Sequence, residues 1–193
     1  MKRVLLIIIF FISTINLFSQ EDKLSLELSY PLAFGNNFIA DNYNGYVDLG
    51  LKYRTYQLNL IKFGAGINGS FYSNTKSSIN QDYNVSIYNI QPKLFAEFSL
   101  PGLERFHPQF GLGYTFTLFN GKPRNEINTN QLISFFDTQS GFNFNAGIAI
   151  DLIKNIFLQV QYDFVKFDTK NGTLFTPYNT NINLLKFGLG LRF

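Results

Sequence analysis

Apolar and polar residues alternate one by one along most of this chain, in eight stretches separated by polar segments. Period-two alternation marks a strand with one apolar and one polar face. The first stretch sets Leu24, Leu26, Leu28 and Tyr30 against Ser25, Glu27 and Ser29. The second sets Val47, Leu49, Leu51 and Tyr53 against Asp48, Gly50 and Lys52, and the third Ile61, Phe63, Ala65 and Ile67 against Lys62, Gly64, Gly66 and Asn68. The fourth is less regular: Leu94, Ala96 and Phe98 alternate with Lys93, Phe95 and Glu97, but Val85 and Ile87 carry the opposite parity. Proline cannot donate to a sheet ladder, so Pro92 predicts a bulge between Ile87 and Pro92 that resets the register. The fifth runs from Gln109 to Leu118, the sixth from Phe142 to Ile150 and the seventh from Leu158 to Phe164, all with the same alternation. The last, Ile182 to Phe193, sets Leu185, Phe187, Leu189, Leu191 and Phe193 against Lys186, Gly188, Gly190 and Arg192.

The connections alternate in length. Gly35–Asn44, Ser73–Asn84, Asn120–Gln139 and Asp168–Thr180 are long and polar; Arg54–Gln57, Pro101–His107 and Asp151–Asn155 are short. Barrels that cross an outer membrane have an even strand number, short periplasmic turns and longer external loops. Strands of roughly 10 residues suit a tilted crossing, and closure leaves no unpaired edge in lipid. The expected fold class is therefore all-β, an eight-stranded antiparallel up-and-down transmembrane β-barrel with its long loops outside. The rival is a soluble barrel of lipocalin type with the apolar face turned inward. The polar face is too rich in Gly and Asn for a good soluble exterior, which favours the membrane.

Ahead of the strands, Lys2 and Arg3 precede the apolar run Val4–Ile12. That order predicts a cleaved signal peptide over residues 1–20, cut near Ser19 or Gln20, and a barrel over residues 21–193. Its apolar core is shorter than the roughly 20 residues of a spanning helix. Charged residues make up 15% of the chain, where a soluble domain carries about a quarter. There is no cysteine, hence no disulfide and no thiolate metal site. The net charge of +3, with no basic cluster beyond Lys2-Arg3, gives no footprint for nucleic acid.

An eight-stranded barrel has an interior just wide enough for side chains to fill. The inward set contains Lys52, Lys62, Lys93, Lys186 and Arg192 against Glu27, Asp48, Glu97 and Asp163. An unpaired buried charge is expensive, so these charges should pair, with Arg192 and Glu27 at neighbouring strand ends as the expected couple. They read either as a structural plug or as a gate or ion path. His107, the single histidine, reads as a turn residue at the periplasmic end. One histidine and no cysteine predict no metal site, and Gly64-Ala65-Gly66 lacks the lysine of a phosphate loop, so no cofactor is expected; no catalytic site is expected either, since His107 lies at the periplasmic end. Tyr30, Tyr53, Phe71, Tyr114 and Tyr162 read as interface girdles or as filler on a Phe-rich lipid face. In the longest loop, Leu132–Phe136 is an apolar patch that marks a partner contact or folds onto the rim.

Lys186, Gly188, Leu191 and Phe193 match, in order, the polar–x–Gly–x–x–hydrophobic–x–aromatic ending by which outer-membrane barrels are handed to their insertion machinery. With HPQFGLGYTF at His107–Phe116, the mature chain resembles the small outer-membrane beta-barrel superfamily, including its porin-like and PorT-like members. The resemblance implies a Gram-negative outer-membrane location, with lipid, the insertion machinery and an envelope protein at the external loops as partners. It transfers no activity. The leading expectation is a non-enzymatic structural, adhesive or envelope-accessory role. The alternatives are a narrow pore or hydrophobic-solute conduit, and a lipid A-modifying hydrolase. Hydrolases of that kind place a serine two residues after their histidine, where this chain has Gln109.

Overall fold

The computed structural model describes residues 23–74, 83–123, 133–168 and 176–193. The predicted signal peptide lies outside them. Eight strands form: β1 (Leu24–Phe34), β2 (Asn44–Leu58), β3 (Ile61–Ser73), β4 (Tyr83–Phe98), β5 (Phe106–Pro123), β6 (Phe135–Ile153), β7 (Ile156–Phe167) and β8 (Asn181–Arg192). They close into a barrel in sequence order, each antiparallel to the next, with β8 returning to β1. Two short helices, α1 (Phe38–Asn42) and α2 (Pro177–Thr180), lie in the first and last long connections. No described helix is long and apolar enough to cross a membrane, so any crossing by the described residues is made by strands.

Closure is staggered. Following paired residues once around the barrel leads from Arg192 through Ser25, Lys52, Gly66, Lys93, Gly113, Asn143 and Val165 back to Ile182. The return falls ten positions away on the same strand. Such a stagger requires tilted strands; tilt shortens a strand's reach along the membrane normal, and strands of 11 to 19 residues are long enough to span a bilayer even so.

The two faces separate as the alternation requires. The large apolar side chains point outward, with Leu94 70% and Phe142 69% exposed, while the polar series is buried. That arrangement rejects the soluble alternative, because a belt of bare Leu and Phe is stable only against an apolar solvent.

Several local expectations are corrected. The register of β4 against β3 is unbroken from Ser86 to Phe98, so there is no bulge between Ile87 and Pro92. Pairing with β5 merely skips Gln91 and Pro92, where the proline has no donor. Val85 and Ile87 keep the inward parity of Asn89, Gln91 and Lys93, and the interior itself changes from polar to apolar there. The Arg54–Gln57 segment is not a connection but the end of β2, which turns at Asn59 with φ +50°, a left-handed conformation that asparagine tolerates. Strands β5 and β6 run well into the expected third loop, as far as the pair Gly121 and Phe135. The Gly35–Asn44 segment is not merely polar: Asn37 caps α1, its Oδ1 accepting from Ala40 N at 2.9 Å.

Candidate functional site: the barrel interior

The inward residues fill the barrel in layers. At the end with the short turns, periplasmic in barrels of this kind, Arg54 forks onto Glu97, with Nη2 at 2.6 Å and Nε at 3.1 Å. The same guanidinium donates to Ser25 Oγ at 2.6 Å, and Gln109 Nε2 donates to Glu97 at 2.8 Å. Arg192 pairs with Asp151, stacks on the Phe157 ring at 4.7 Å and lies 3.9 Å from Glu97. His107 Nε2 reaches the other Asp151 oxygen at 2.8 Å. A two-pronged guanidinium–carboxylate pair fixes angle as well as distance, so this layer ties β2, β4, β5, β6 and β8 together.

In the next layer Lys52 Nζ lies 2.8 Å from Glu27 and donates to Gln109 Oε1 at 2.6 Å. Gln159 Nε2 donates to Glu27 at 3.0 Å. Phe95 lies beneath Lys52 and Arg54, within 6.0 Å of both cations. The ring fits because Gly64 faces it; a Cβ at that position would meet ring carbons at 2.7 Å. Lys93 is buried beside Gln161 Oε1 at 3.3 Å and makes no ion pair among the described residues.

Lys186, with 0% of its surface exposed, is the centre of the third layer. Its ammonium contacts Asp48 at 2.8 Å, Asp163 at 2.9 Å and Gln91 Oε1 at 2.8 Å, which uses all three of its donors. Asn68 and Ser70 both donate to Asp48. Above this the interior turns apolar: Ile39, Tyr72, Ile87, Phe119, Val165, Phe167, Ile182 and Leu184 form one cluster. Helix α1 seats it from outside, Ile39 buried within it and Phe38 against the Phe119 and Phe167 rings at 6.0 and 6.4 Å.

Five buried cations (Lys52, Arg54, Lys93, Lys186 and Arg192) thus face four buried carboxylates (Glu27, Asp48, Glu97 and Asp163), and half-buried Asp151 supplies a fifth. Of the charges named from sequence, Lys62 lies only partly buried at the second residue of β3. Arg54 takes the interior place instead. The expected Arg192–Glu27 pair does not form; Arg192 turns to Asp151 and Glu27 to Lys52. His107 is not a turn residue but an inward residue of β5. Arg54 and Asp151 were missed, although each continues the polar parity of its strand: Asp48, Gly50, Lys52, Arg54 and Asn145, Gly147, Ala149, Asp151. Among the described residues no group of three or more His, Cys, Asp or Glu is placed to hold a metal.

At the seam, Phe193 N donates to Leu24 O at 2.9 Å and Leu24 N to Phe193 O at 3.2 Å. Leu191 faces lipid, Gly188 lies inward against Ser29, and Lys186 is internal. Tyr30, Tyr53, Phe71, Tyr114 and Tyr162 all occupy outward positions. Of the apolar loop patch, residues 133–136 are described; Ile133 and Phe136 stand exposed at the start of the β6 extension, and Leu132 lies outside the described residues.

A closed eight-stranded barrel with an apolar belt, a filled polar interior and a capped outer mouth defines a small transmembrane β-barrel. The chain belongs to the outer membrane protein beta-barrel domain family, whose model matches residues 9–193, and it is an outer-membrane protein. Among solved structures it is similar to neisserial surface protein A (14% identity, TM-score 0.60, 88% of this chain and 96% of that one). It is also similar to OprG of Pseudomonas aeruginosa (10%, 0.58, 89% and 95%). A third likeness is to Ail, the attachment invasion locus protein of Yersinia pestis (13%, 0.57, 89% and 97%). At these identities the likeness is one of fold. Among curated proteins none matches the chain significantly.

Proposed function

We propose that the chain is a non-enzymatic, non-conducting outer-membrane barrel whose external loops are its working surface, in a structural, adhesive or envelope-accessory role. The observation that carries this reading is the interior: three layers of ion pairs and amides beneath an apolar cap. Such packing favours rigidity over permeation, since an ion crossing the lumen would have to displace paired charges in a confined space. Purified folded protein in a planar bilayer should give no discrete conductance steps. Steps that vanish when Lys52 or Glu97 is neutralised would overturn the reading in favour of a narrow pore.

The second reading, passage of a small hydrophobic solute, draws on the apolar outer third of the interior beneath α1. A lipid A hydrolase is the least supported alternative. His107 faces the periplasmic end of the interior, where Asp151 holds it. Replacing His107 by Ala should leave the lipid A profile of the host unchanged. We further propose that Lys186, Gly188, Leu191 and Phe193 act as the insertion signal during assembly. Lys186 is sealed inside the finished barrel, so this reading requires recognition before β8 closes on β1.

A further inference from the structure

Asn89 on β4, Thr117 on β5 and Gln139 on β6 are direct cross-strand partners in register, and all three belong to the inward series of their strands. Asn89 Oδ1, Thr117 Oγ1 and Gln139 Oε1 are buried, and none has a hydrogen-bond partner among the described residues. Asn143, on β6 toward the periplasmic side, carries a fourth such oxygen in its Oδ1. Asn89, Thr117 and Asn143 are only 2%, 0% and 4% exposed. Tyr72, one row outward on β3, adds a fully buried hydroxyl that is also without a partner.

The polar neighbours of this row have spent their bonds elsewhere. Toward the periplasm, Thr115 Oγ1 accepts from Gln91 Nε2 at 3.1 Å and from Asn143 Nδ2 at 2.9 Å, while Gln91 Oε1 accepts from Lys186. Ser70, beside Asn89 on β3, donates to Asp48. The next row outward is Tyr72, Ile87 and Phe119, all in the apolar cluster under α1. The orphaned oxygens therefore lie where the ionic network ends and the apolar cap begins.

An oxygen withdrawn from water without a donor is costly, and four on adjoining strands call for one shared partner. A cation suits them poorly. Asp48 and Asp163 are both taken by Lys186, and Asp137, the next inward residue of β6, is exposed and accepts from Thr138 N. A cation in the row would thus add charge near the Lys186 ammonium with no counter-charge of its own. A small neutral molecule with two donors fits the acceptors, and the Thr117 and Tyr72 hydroxyls can donate to it in return. Ser70, Thr115 and Thr117 are short side chains, which leave more of the lumen open here than the Lys and Gln below or the Tyr and Phe above.

We propose that Asn89, Thr117, Gln139 and Asn143 form a binding site for internal water, held between the Lys186 layer and the apolar cap. A buried water makes about three hydrogen bonds to groups that would otherwise go unsatisfied, which one molecule bridging Asn89, Thr117 and Gln139 provides. The site belongs to the barrel interior and is independent of the role proposed for the external loops.

The test is a crystal structure of the folded protein purified from membranes, with a second crystal soaked in a thallium(I) salt, whose cation has an anomalous signal. Density should appear within hydrogen-bonding distance of Asn89, Thr117 and Gln139, without an anomalous peak. Thr117→Val and Thr117→Ser supply an independent measure through the temperature of the gel mobility transition. If water is bound, Val removes one of its partners and the transition should fall by about 2–4 °C, while Ser, which keeps the hydroxyl, should stay near wild type. If the row is dry, the same Val deletes an unsatisfied buried hydroxyl and the transition rises. That rise, a row without density, or a thallium peak within it would overturn the proposal.

Discussion

Lys186 shows how a single side chain in this barrel can join distant strands. It comes from β8, yet its carboxylate partners belong to β2 and β7, so its contacts cross the β1/β8 seam as well as the neighbouring pair. Removing the ammonium alone leaves two buried carboxylates facing each other without a counter-charge. Breaking such a buried pair costs about 3–5 kcal/mol, whereas replacing all its members by neutral groups of similar shape is often tolerated. Lys186→Met should therefore lower the temperature at which the folded form converts to the unfolded gel mobility, and adding Asp48→Asn and Asp163→Asn should restore most of the loss. Phe193→Ala should behave in the opposite way. Its backbone pairing with Leu24 needs no side chain, so the folded fraction should melt near the wild-type temperature. If Phe193 is part of the insertion signal, the yield of folded barrel in the outer membrane should fall. A variant pair in which both measurements move together would reject the separation of assembly signal from internal lock.

At the scale of the element, β4 makes the sharpest distinction between the pattern and the structure. Sequence alternation assumes that inward means polar, and on that assumption Val85 and Ile87 must have changed face. The unbroken register shows that they did not. A chain free of cysteine makes this testable by single substitutions. Dyes attached at Tyr88→Cys and Ile90→Cys should be quenched by lipids carrying a quencher on their acyl chains, while Ile87→Cys and Gln91→Cys should resist labelling. A reversal of the first pair with Ile87 would restore the bulge. The number of strands, their order and their outward faces were readable because lipid imposes one uniform demand, an apolar belt, on every strand. The interior has no such uniformity. Its outer part includes Ile87, Val165, Phe167, Ile182 and Leu184, residues that look misplaced until Ile39 and Phe38 of α1 are seen to pack with them. Arg54 and Asp151 were lost for a related reason, since a charge near a strand end reads equally well as a turn. Ion-pair partners depend on which way each side chain turns inside the lumen: Arg192 and Glu27 are diagonal neighbours on paired strands, yet Arg192 turns across β7 to Asp151 and Glu27 turns to Lys52.

For the molecule as a whole, the order of the layers matters more than any one of them. The charges lie below an apolar stratum in which Ile39 and Tyr72 are wholly buried, so hydrated ions reach the network from outside only by crossing a region that excludes them. Salt screens exposed charges over a Debye length that falls from about 30 Å at 0.01 M to about 3 Å at 1 M, and it screens buried pairs much less. The sealed barrel should accordingly melt at nearly the same temperature across that range. Opening the seal changes the expectation. Phe38→Ala with Ile39→Ala removes the α1 side chains that pack on the cluster, and losing a buried Ile alone costs about 2–5 kcal/mol. The double variant should start from a lower melting temperature and then lose further stability as salt rises, because ions now reach Lys186, Asp48 and Asp163. The measurement is the temperature of the gel mobility transition for both proteins at the two salt concentrations. Equal salt dependence in both would show that the cap does not seal the network and that the charges are held by their mutual geometry alone.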